Sequence, residues 1–154
     1  MTVRVLSADG LAPDRLAELH AEAFERPWTA DDFAGLWDAP GALVLGDETP
    51  EGLAGFIMLR VAADEAEILT VAVRPTARRR GVGLALIEAA QAASAALGAE
   101  ALWLEVASDN VAALALYDRA AFDEAGRRRG YYRLANGRST DAIVMRRALN
   151  TAQV

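Results

Sequence analysis

The chain of 154 residues has the length of one domain with a single hydrophobic core, and its 53% hydrophobic and 25% charged residues are typical of a globular protein. It contains no cysteine, which excludes disulfides and thiolate metal ligands, and its one histidine, His20, excludes a histidine cluster. The net charge of −6 argues against a nucleic-acid-binding domain. We therefore expect one domain over residues 1–150, with a short tail over 151–154 and no metal site.

The first half of the chain predicts three strands and two helices. Leu16, Leu19 and Ala23 lie at helical spacing in the first helix, where His20 is predicted to be a surface residue. Thr29 and Asp32 have the spacing of a capping box at the start of the second helix. The predicted elements are strand VRVLSA (3–8), helix APDRLAELHAEAF (12–24), helix TADDFAGLW (29–37), strand ALVLGD (42–47) and strand GLAGFIMLRVA (52–62).

The second half of the chain alternates strands and helices and then ends in a strand pair. The strand EAEILTVAV (65–73) is apolar on both faces towards its end, as expected at the centre of a sheet. A long helix from about Gly83 to Leu97 ends before Gly98, and the strand ALWLEV (101–106) and helix NVAALALYDRAA (110–121) follow. The segments 123–132 and 141–149 are predicted to pair around the turn LANGRS. This order of elements indicates one mixed α/β domain.

Charge is unevenly distributed along the chain. Residues 1–70 contain 14 acidic and 4 basic residues, whereas residues 71–154 contain 8 acidic and 12 basic residues. An acidic first half suits a positively charged substrate, although acidic residues that only keep the surface soluble remain an alternative. The opening residues lack the layout of a signal peptide, and the longest uncharged run is too short to span a bilayer. We therefore expect a cytoplasmic protein with no membrane partner.

A turn rich in arginine and glycine joins the central strand to the long helix. In VAVRPTARRRGVGLALIEAA (71–90), four arginines precede or adjoin Gly81, and Gly83 follows. The turn could bind nucleic acid, cradle a phosphate group, or be an ordinary solvated turn. Free amides at a helix start and closely approachable glycines favour a phosphate cradle. The absence of interleaved aromatic residues disfavours nucleic acid, and the missing lysine and third glycine exclude a P-loop and a dinucleotide fingerprint.

The same stretch resembles the acyl-CoA loop of the GNAT acetyltransferase superfamily, whose pattern (Q/R)-x-x-G-x-(G/A) is filled by Arg78, Gly81 and Gly83. The resemblance covers nearly the whole chain and implies the GNAT fold, a mixed, mostly antiparallel central sheet flanked by helices. It also implies acetyl-CoA as co-substrate. Backbone groups that would contact pantetheine belong to Val71, Ala72 and Val73. Amides that would hold the pyrophosphate belong to Arg79, Arg80, Gly81, Val82, Gly83 and Leu84, with their arginine side chains often facing solvent in this family.

A second stretch, LWLEVASDNVAALALYDRAAF (102–122), resembles the bacterial ribosomal-protein alanine N-acetyltransferases. The resemblance implies Glu105 as general base, Tyr117 as general acid and Asn110 as a CoA contact. The family commonly has Leu-Gly-Phe after the tyrosine, whereas this chain has alanine at position 121, which puts the turn there in doubt. The segment ERPWT (25–29) and the pair Tyr131-Tyr132 also resemble that family. Trp28, Tyr131 and Tyr132 are therefore candidates to line a peptide groove, with ordinary packing as the alternative.

The resemblance implies direct acetyl transfer to a protein N-terminal α-amine, with the N-terminal alanine of a small ribosomal-subunit protein as the expected acceptor. An unperturbed α-amine has a pKa near 8, against about 10.4 for lysine, so a weak base such as glutamate suffices. A basic peptide would suit the acidic first half of the chain. Transfer to a small-molecule amine or a lysine side chain, and a non-catalytic acyl-CoA sensor, remain alternatives. We expect a monomer or weak dimer.

Overall fold

The computed structural model describes residues 2–8 and 13–149, which form seven strands and four α-helices. The strands are β1 (Val3–Val5), β2 (Ala42–Thr49), β3 (Gly52–Ala62), β4 (Glu65–Val73), β5 (Ala101–Ala107), β6 (Asp123–Arg133) and β7 (Ser139–Ala148). The helices are α1 (Pro13–Ala23), α2 (Ala30–Trp37), α3 (Val82–Ala96) and α4 (Val111–Arg119), and a short 3-10 turn spans Pro75–Ala77. All predicted elements are present, although β1 is shorter than expected. The predicted tail over 151–154 lies outside the described residues.

The strands form one sheet in the order β1-β2-β3-β4-β5-β7-β6. Among the described strands only β4 and β5 are parallel neighbours, and every other neighbouring pair is antiparallel. Parallel strands need a crossover connection, which α3 provides between β4 and β5. The prediction of a mixed, mostly antiparallel sheet is therefore confirmed.

Helices cover both faces of this sheet, and β3 explains why its sequence is apolar throughout. Ile57 and Leu59 point into the core beneath α3, whereas Phe56 and Met58 point into the core beneath α1 and α2. All four side chains are fully buried. Because alternate residues of a strand face opposite sides, a strand covered on both faces reads as a continuous apolar run.

The two central strands separate halfway along their length. The β4–β5 ladder joins only Glu65–Glu67 to Ala101–Trp103. Next to the end of this ladder, Leu59 of β3 pairs with Ile68 and Met58 pairs with Thr70, so Leu69 is an extra, bulged residue. Bulges bend a strand and increase its twist. From Ile68 onward, the β5-facing edge of β4 therefore has no strand partner among the described residues, and a cleft opens there.

Local capping fixes one end each of α2, α3 and α4. Thr29 Oγ1 accepts the Asp32 N–H at 3.1 Å while an Asp32 oxygen accepts the Thr29 N–H at 2.9 Å, which confirms the predicted capping box of α2. The predicted end of α3 is confirmed by Gly98, which has a left-handed φ of +93°. Ala121 takes the same conformation after α4, with φ +67°, although alanine adopts it less readily.

Candidate active site

A cleft of about 580 Å³ lies between the separated ends of β4 and β5. Two sets of groups border it. The α3 side is the β4 edge over residues 68–73, of which 68–71 line the cleft, together with the turn and helix start over 78–84 that follow β4 in the chain. The hairpin side is the loop over 24–28, of which 24–26 line the cleft, Glu105, and residues 127–135 of β6 and the turn that follows, of which 131–135 line the cleft. The predicted site residues that line the cleft are Val71, Glu105, Asn110, Tyr117, Tyr131 and Tyr132.

The α3 side provides free backbone amides. The first intrahelical bond of α3 runs from the Ala85 N–H to the Gly81 oxygen at 3.0 Å, and no described side chain caps the helix. The amides of Val82, Gly83 and Leu84 therefore have no acceptor within α3. Such amides, together with the positive end of the helix dipole, suit a phosphate group.

Two left-handed residues shape the turn before α3. Arg79 has φ +65° and Gly81 has φ +80°. The side chains of Arg78, Arg79 and Arg80 are exposed and form no ion pair with any described residue. The geometry of this turn is therefore a property of its backbone, and the arginine side chains do not hold it in place.

Gly83 is required for a different reason from Gly81. A Cβ at Gly83 would lie 3.1 Å from Cδ2 of Leu116 in α4 and 3.7 Å from Cγ2 of Val73 in β4. A Cβ at Gly81 would meet no atom of the described residues within 4 Å, but the φ of Gly81 is unfavourable for L residues. Gly83 thus permits close packing of α3 against α4, whereas Gly81 permits the turn.

The three β4 residues predicted to pair with pantetheine do not have equivalent positions. Val71 lines the cleft. Ala72 is buried in the core beneath α1 and α2, and Val73 packs against the core beneath α3. Only their backbone groups could therefore act together along the free edge of β4.

Glu105 lies on the face of β5 that also carries Trp103, opposite the buried Leu104. Its side chain is 29% exposed, and its Oε1 lies 3.2 Å from Nε of Arg128 in β6. This ion pair matches the arrangement expected of a structural carboxylate, yet the carboxylate also lines the cleft. Its carboxylate also contributes to raising the pKa of the Tyr132 hydroxyl, after the larger effect of burial.

Tyr117 projects from α4 into the cleft and is 9% exposed. Its ring packs edge-on against Phe122, with centroids 5.9 Å apart. The hydroxyl forms no hydrogen bond to another group in the described part of the chain. Burial raises its pKa to about 12, so the hydroxyl keeps its proton at neutral pH.

Asn110, the predicted CoA contact, caps α4 and also lines the cleft. Its Oδ1 accepts the Ala113 N–H at 3.2 Å. An asparagine at this position satisfies one free donor of the helix start. The structure therefore gives Asn110 a local role that does not depend on any ligand.

Two tyrosines form the far wall of the hairpin side. The rings of Tyr131 and Tyr132 meet edge-on at 5.1 Å, and the Arg128 guanidinium lies 5.2 Å from the Tyr131 centroid. A bulge in the β6–β7 pairing spans this region. Asp141 of β7 holds it by accepting bonds from the Gly130 N–H and Arg127 Nη1, each at 2.9 Å. These two bonds lower the pKa of the Asp141 carboxyl.

The structure corrects the prediction for His20. His20 is 2% exposed and is not a surface residue. Its ring stacks against Phe24 at 4.1 Å and Trp28 at 5.1 Å, and Thr70 lies within hydrogen-bond distance. Burial lowers its pKa to about 4, so the ring is neutral and its desolvation is tolerable.

The loop after α1 contributes cleft residues that sequence reasoning did not single out. Phe24, Glu25 and Arg26 line the cleft. Trp28, a candidate to line a peptide groove with ordinary packing as the alternative, is half-buried, packs against the core beneath α1 and α2, and is not among the residues that line this cleft. The segment ERPWT was the available signal, but it did not distinguish which side chains face outward.

Two features are missing from the described part of the chain. Residues 2–8 and 13–149 contain no group of three or more His, Asp or Glu side chains arranged to hold a metal ion. No helix among them is both long enough and apolar enough to cross a membrane.

Comparison with known proteins identifies this architecture. The Acetyltransferase (GNAT) family model matches residues 13–122. The chain is 38% identical to the [ribosomal protein bS18]-alanine N-acetyltransferase of Salmonella typhimurium over 144 residues, which cover 94% of this chain and 95% of that protein. It is 36% identical to the enzyme of the same name from Escherichia coli K12 over 146 residues, with the same coverage.

A solved structure has the same fold over nearly the whole chain. The crystal structure of the ribosomal-protein-S18-alanine N-acetyltransferase from Escherichia coli superposes with a TM-score of 0.88 at 32% identity, covering 99% of this chain and 96% of that one. The chain therefore belongs to the GNAT family of acetyltransferases. The predictions of the GNAT fold and of an acetyl-CoA-dependent N-acetyltransferase are confirmed.

Proposed function

We propose that the protein transfers the acetyl group of acetyl-CoA to the N-terminal α-amine of a protein, and that the acceptor is the N-terminal alanine of a small ribosomal-subunit protein. The two relatives named for this reaction on bS18 are 38% and 36% identical to the chain and match 94% of it. The observation that carries the proposal is that Glu105 and Tyr117, from separate elements, line one cleft with the edge of β4, the strand that leads through the turn to the free amides of α3.

The α3 side would bind the acetyl donor. Acetyl-CoA supplies a thioester whose carbonyl carbon the amine attacks. The unpaired edge of β4 suits an extended, amide-containing chain, and the amides at the start of α3 suit a pyrophosphate. A backbone N–H near Val71 would donate to the thioester oxygen as negative charge develops there.

Glu105 and Tyr117 would move the two protons of the reaction. Glu105 would accept a proton from the acceptor amine, directly or through water. An α-amine loses its proton more readily than a lysine side chain does, so a carboxylate suffices as base. Tyr117 would donate its proton to the departing sulfur, and its pKa of about 12 keeps that proton in place until then.

The hairpin side would bind the peptide. Phe24 and Tyr131 offer exposed aromatic surface, and the acidic first half of the chain would attract a basic peptide. A ribosomal acceptor would put the reaction in the cytoplasm, with no need for a membrane or nucleic-acid partner. We further infer that one chain, as a monomer or weak dimer, contains the complete site.

The proposal is tested by CoA release with three amines: a basic peptide that begins with alanine, a polyamine and an aminoglycoside. We expect turnover of the peptide with kcat/KM well above that of the other two. Faster turnover of either small amine would contradict the proposed acceptor. Acetyl-CoA binding without turnover of any amine would indicate a sensor and contradict an enzyme of this class.

Two variants test the proton transfers. Glu105→Gln and Tyr117→Phe should each lower kcat on the peptide on the order of 100-fold, because a positioned acid or base contributes about that much or more. Asp118→Asn, an exposed change next to Tyr117, serves as the matched control. Undiminished turnover in both variants would exclude the assigned roles.

A further inference from the structure

His20 forms a hydrogen-bonded connection between two elements that border the cleft. Its Nδ1 lies 3.0 Å from the backbone nitrogen of Trp28, and its Nε2 lies 3.1 Å from Oγ1 of Thr70. Trp28 ends the loop over 24–28, whereas Thr70 belongs to β4 and itself lines the cleft. The imidazole therefore joins the hairpin side to the α3 side at the point where the two face each other.

The partners of the ring determine its tautomer. A backbone N–H can only donate, so Nδ1 of His20 must be the acceptor in this bond. The single proton of the neutral ring then lies on Nε2 and is donated to Thr70 Oγ1. In the other neutral tautomer Nδ1 would carry the proton, and the bond from the Trp28 N–H would be lost.

The surroundings of the ring favour this neutral state. Phe24, Trp28 and Phe33 pack around it, with ring centroids between 4.1 and 5.3 Å from its own, and Thr70 is the polar side chain against it. Among the described residues no charged side chain contributes to the shift of its pKa, which burial lowers. The hydrogen-bonded connection is thus buried, uncharged and directional.

The loop that this connection anchors borders the acceptor part of the cleft. Phe24, Glu25 and Arg26 line the cleft from this loop, yet none of the three is itself buried. The Trp28 N–H bond to His20 limits how far these exposed residues can move relative to β4. A loop that is ordered before binding spares the acceptor that ordering cost.

We propose that His20, as the Nε2–H tautomer, is a positioning residue that fixes the loop over 24–28 relative to Thr70 and so determines affinity for the acceptor amine. This inference rests on the proposed function, because it concerns the acceptor of the same reaction. His20 does not touch the reacting atoms and acts through Trp28 and Thr70. It is the imidazole tautomer, and not a protonated ring, that performs this role.

Substitutions at positions 20 and 70 test the two hydrogen bonds of the His20 ring separately. Asn at position 20 puts an amide oxygen near the place of Nδ1 and keeps an acceptor for the Trp28 N–H, whereas Gln reaches towards Thr70 and loses that acceptor. Thr70→Val removes the second partner at nearly constant shape, and Thr70→Ser restores the hydroxyl. Ala21→Ser, an exposed change next to His20, is the matched control.

Kinetics with both substrates varied should distinguish positioning from general damage. We expect His20→Gln and Thr70→Val each to raise KM for the acceptor about five-fold, the effect of one net hydrogen bond, with KM for acetyl-CoA unchanged. His20→Asn should raise the acceptor KM less than His20→Gln does, and Thr70→Ser should recover most of the loss. Equal rises in both KM values, or an unchanged acceptor KM in folded His20→Gln, would overturn the proposal.

Because His20 is the only histidine, its ring nitrogens can be observed by ¹⁵N NMR without assignment, whether or not any amine is acetylated. We expect a protonated Nε2 and an unprotonated Nδ1 from pH 5 to 8. A proton on Nδ1, or titration near pH 6.5, would overturn the proposal. If the wild type acetylates no peptide, the proposed function fails while this spectrum still decides the connection.

Discussion

The two sides of the cleft are built by different means. The α3 side depends on backbone conformation: two left-handed residues, a helix start that no described side chain caps, and a strand edge that pairs with no described strand. The hairpin side depends on side-chain contacts, namely Glu105 with Arg128 and Asp141 with Gly130 within it, and His20 with Thr70 between it and β4. The difference teaches that one candidate site can combine a side that depends on backbone geometry with a side that depends on side-chain chemistry.

The largest expected effect tests the backbone character of the α3 side. Gly81→Val should abolish acetyl-CoA binding, because a β-branched residue cannot adopt φ +80° without severe strain and the turn must then rearrange. Gly81→Asn, which tolerates left-handed φ, should retain binding. The measurement is the rise in Tm that acetyl-CoA causes. Loss of binding in the Asn variant as well would indicate that conformation is not the reason.

Single alanine substitutions of Arg78, Arg79 and Arg80 complete that comparison. Their side chains are exposed and unpaired among the described residues, so each should weaken acetyl-CoA binding only modestly. An affinity loss for any one of them as large as that of Gly81→Val would mean that side-chain charge, and not the backbone, holds the pyrophosphate.

The next largest effect is a loss of stability in acid, and it results from the buried ring of His20, which anchors the hairpin side. Burial lowers the His20 pKa from 6.5 to about 4, so between these values the unfolded chain binds a proton that the folded chain excludes. The stabilisation is fully present above pH 6.5 and is lost as pH falls towards 4, by about 3 kcal/mol. Denaturant unfolding at several pH values checks this. The free energy of unfolding of the wild type should fall relative to His20→Gln over that range, and a constant difference would contradict the buried, neutral ring.

The smallest effect concerns two helix ends that differ in one residue. After α3, the left-handed position is Gly98, and after α4 it is Ala121. Both ends have the Schellman pattern, in which the Ala99 N–H bonds to Ser94 and the Phe122 N–H bonds to Tyr117, each at 3.0 Å. Ala121→Gly should stabilise the protein by about 1 kcal/mol and raise Tm by about 3 °C, whereas Gly98→Ala should cost a similar amount. A lower Tm in Ala121→Gly would show that the alanine methyl group has a packing role.

The same contrast explains what the sequence could predict. Element order, the capping box at Thr29 and Asp32, and the turn before α3 depend on neighbouring residues, so local patterns were sufficient. Glu105 and Tyr117 were found by resemblance, and their catalytic roles stay predictions. The Glu105–Arg128 pair joins residues on strands separated by β7, and no local pattern indicates it.

For His20, the position in the helix and the polarity of the side chain predict opposite locations. Position 20 lies four residues after Leu16 and three before Ala23, which is the buried face of α1. The polarity of histidine suggested the surface. Burial became possible because Trp28 and Thr70 satisfy both ring nitrogens, and those partners come from the following loop and from a strand far along the chain.

The early end of the β4–β5 ladder has a consequence for the lifetime of the protein. An extended ligand seated along the β4 edge would act as a substitute strand and complete the sheet. Bound acetyl-CoA would then be a structural component of the fold as well as a reactant. The backbone amide protons over residues 68–73 should therefore exchange with solvent more slowly as the acetyl-CoA concentration rises. Resistance to unfolding and proteolysis would thereby follow the supply of acetyl donor in the cell, without any dedicated regulatory site.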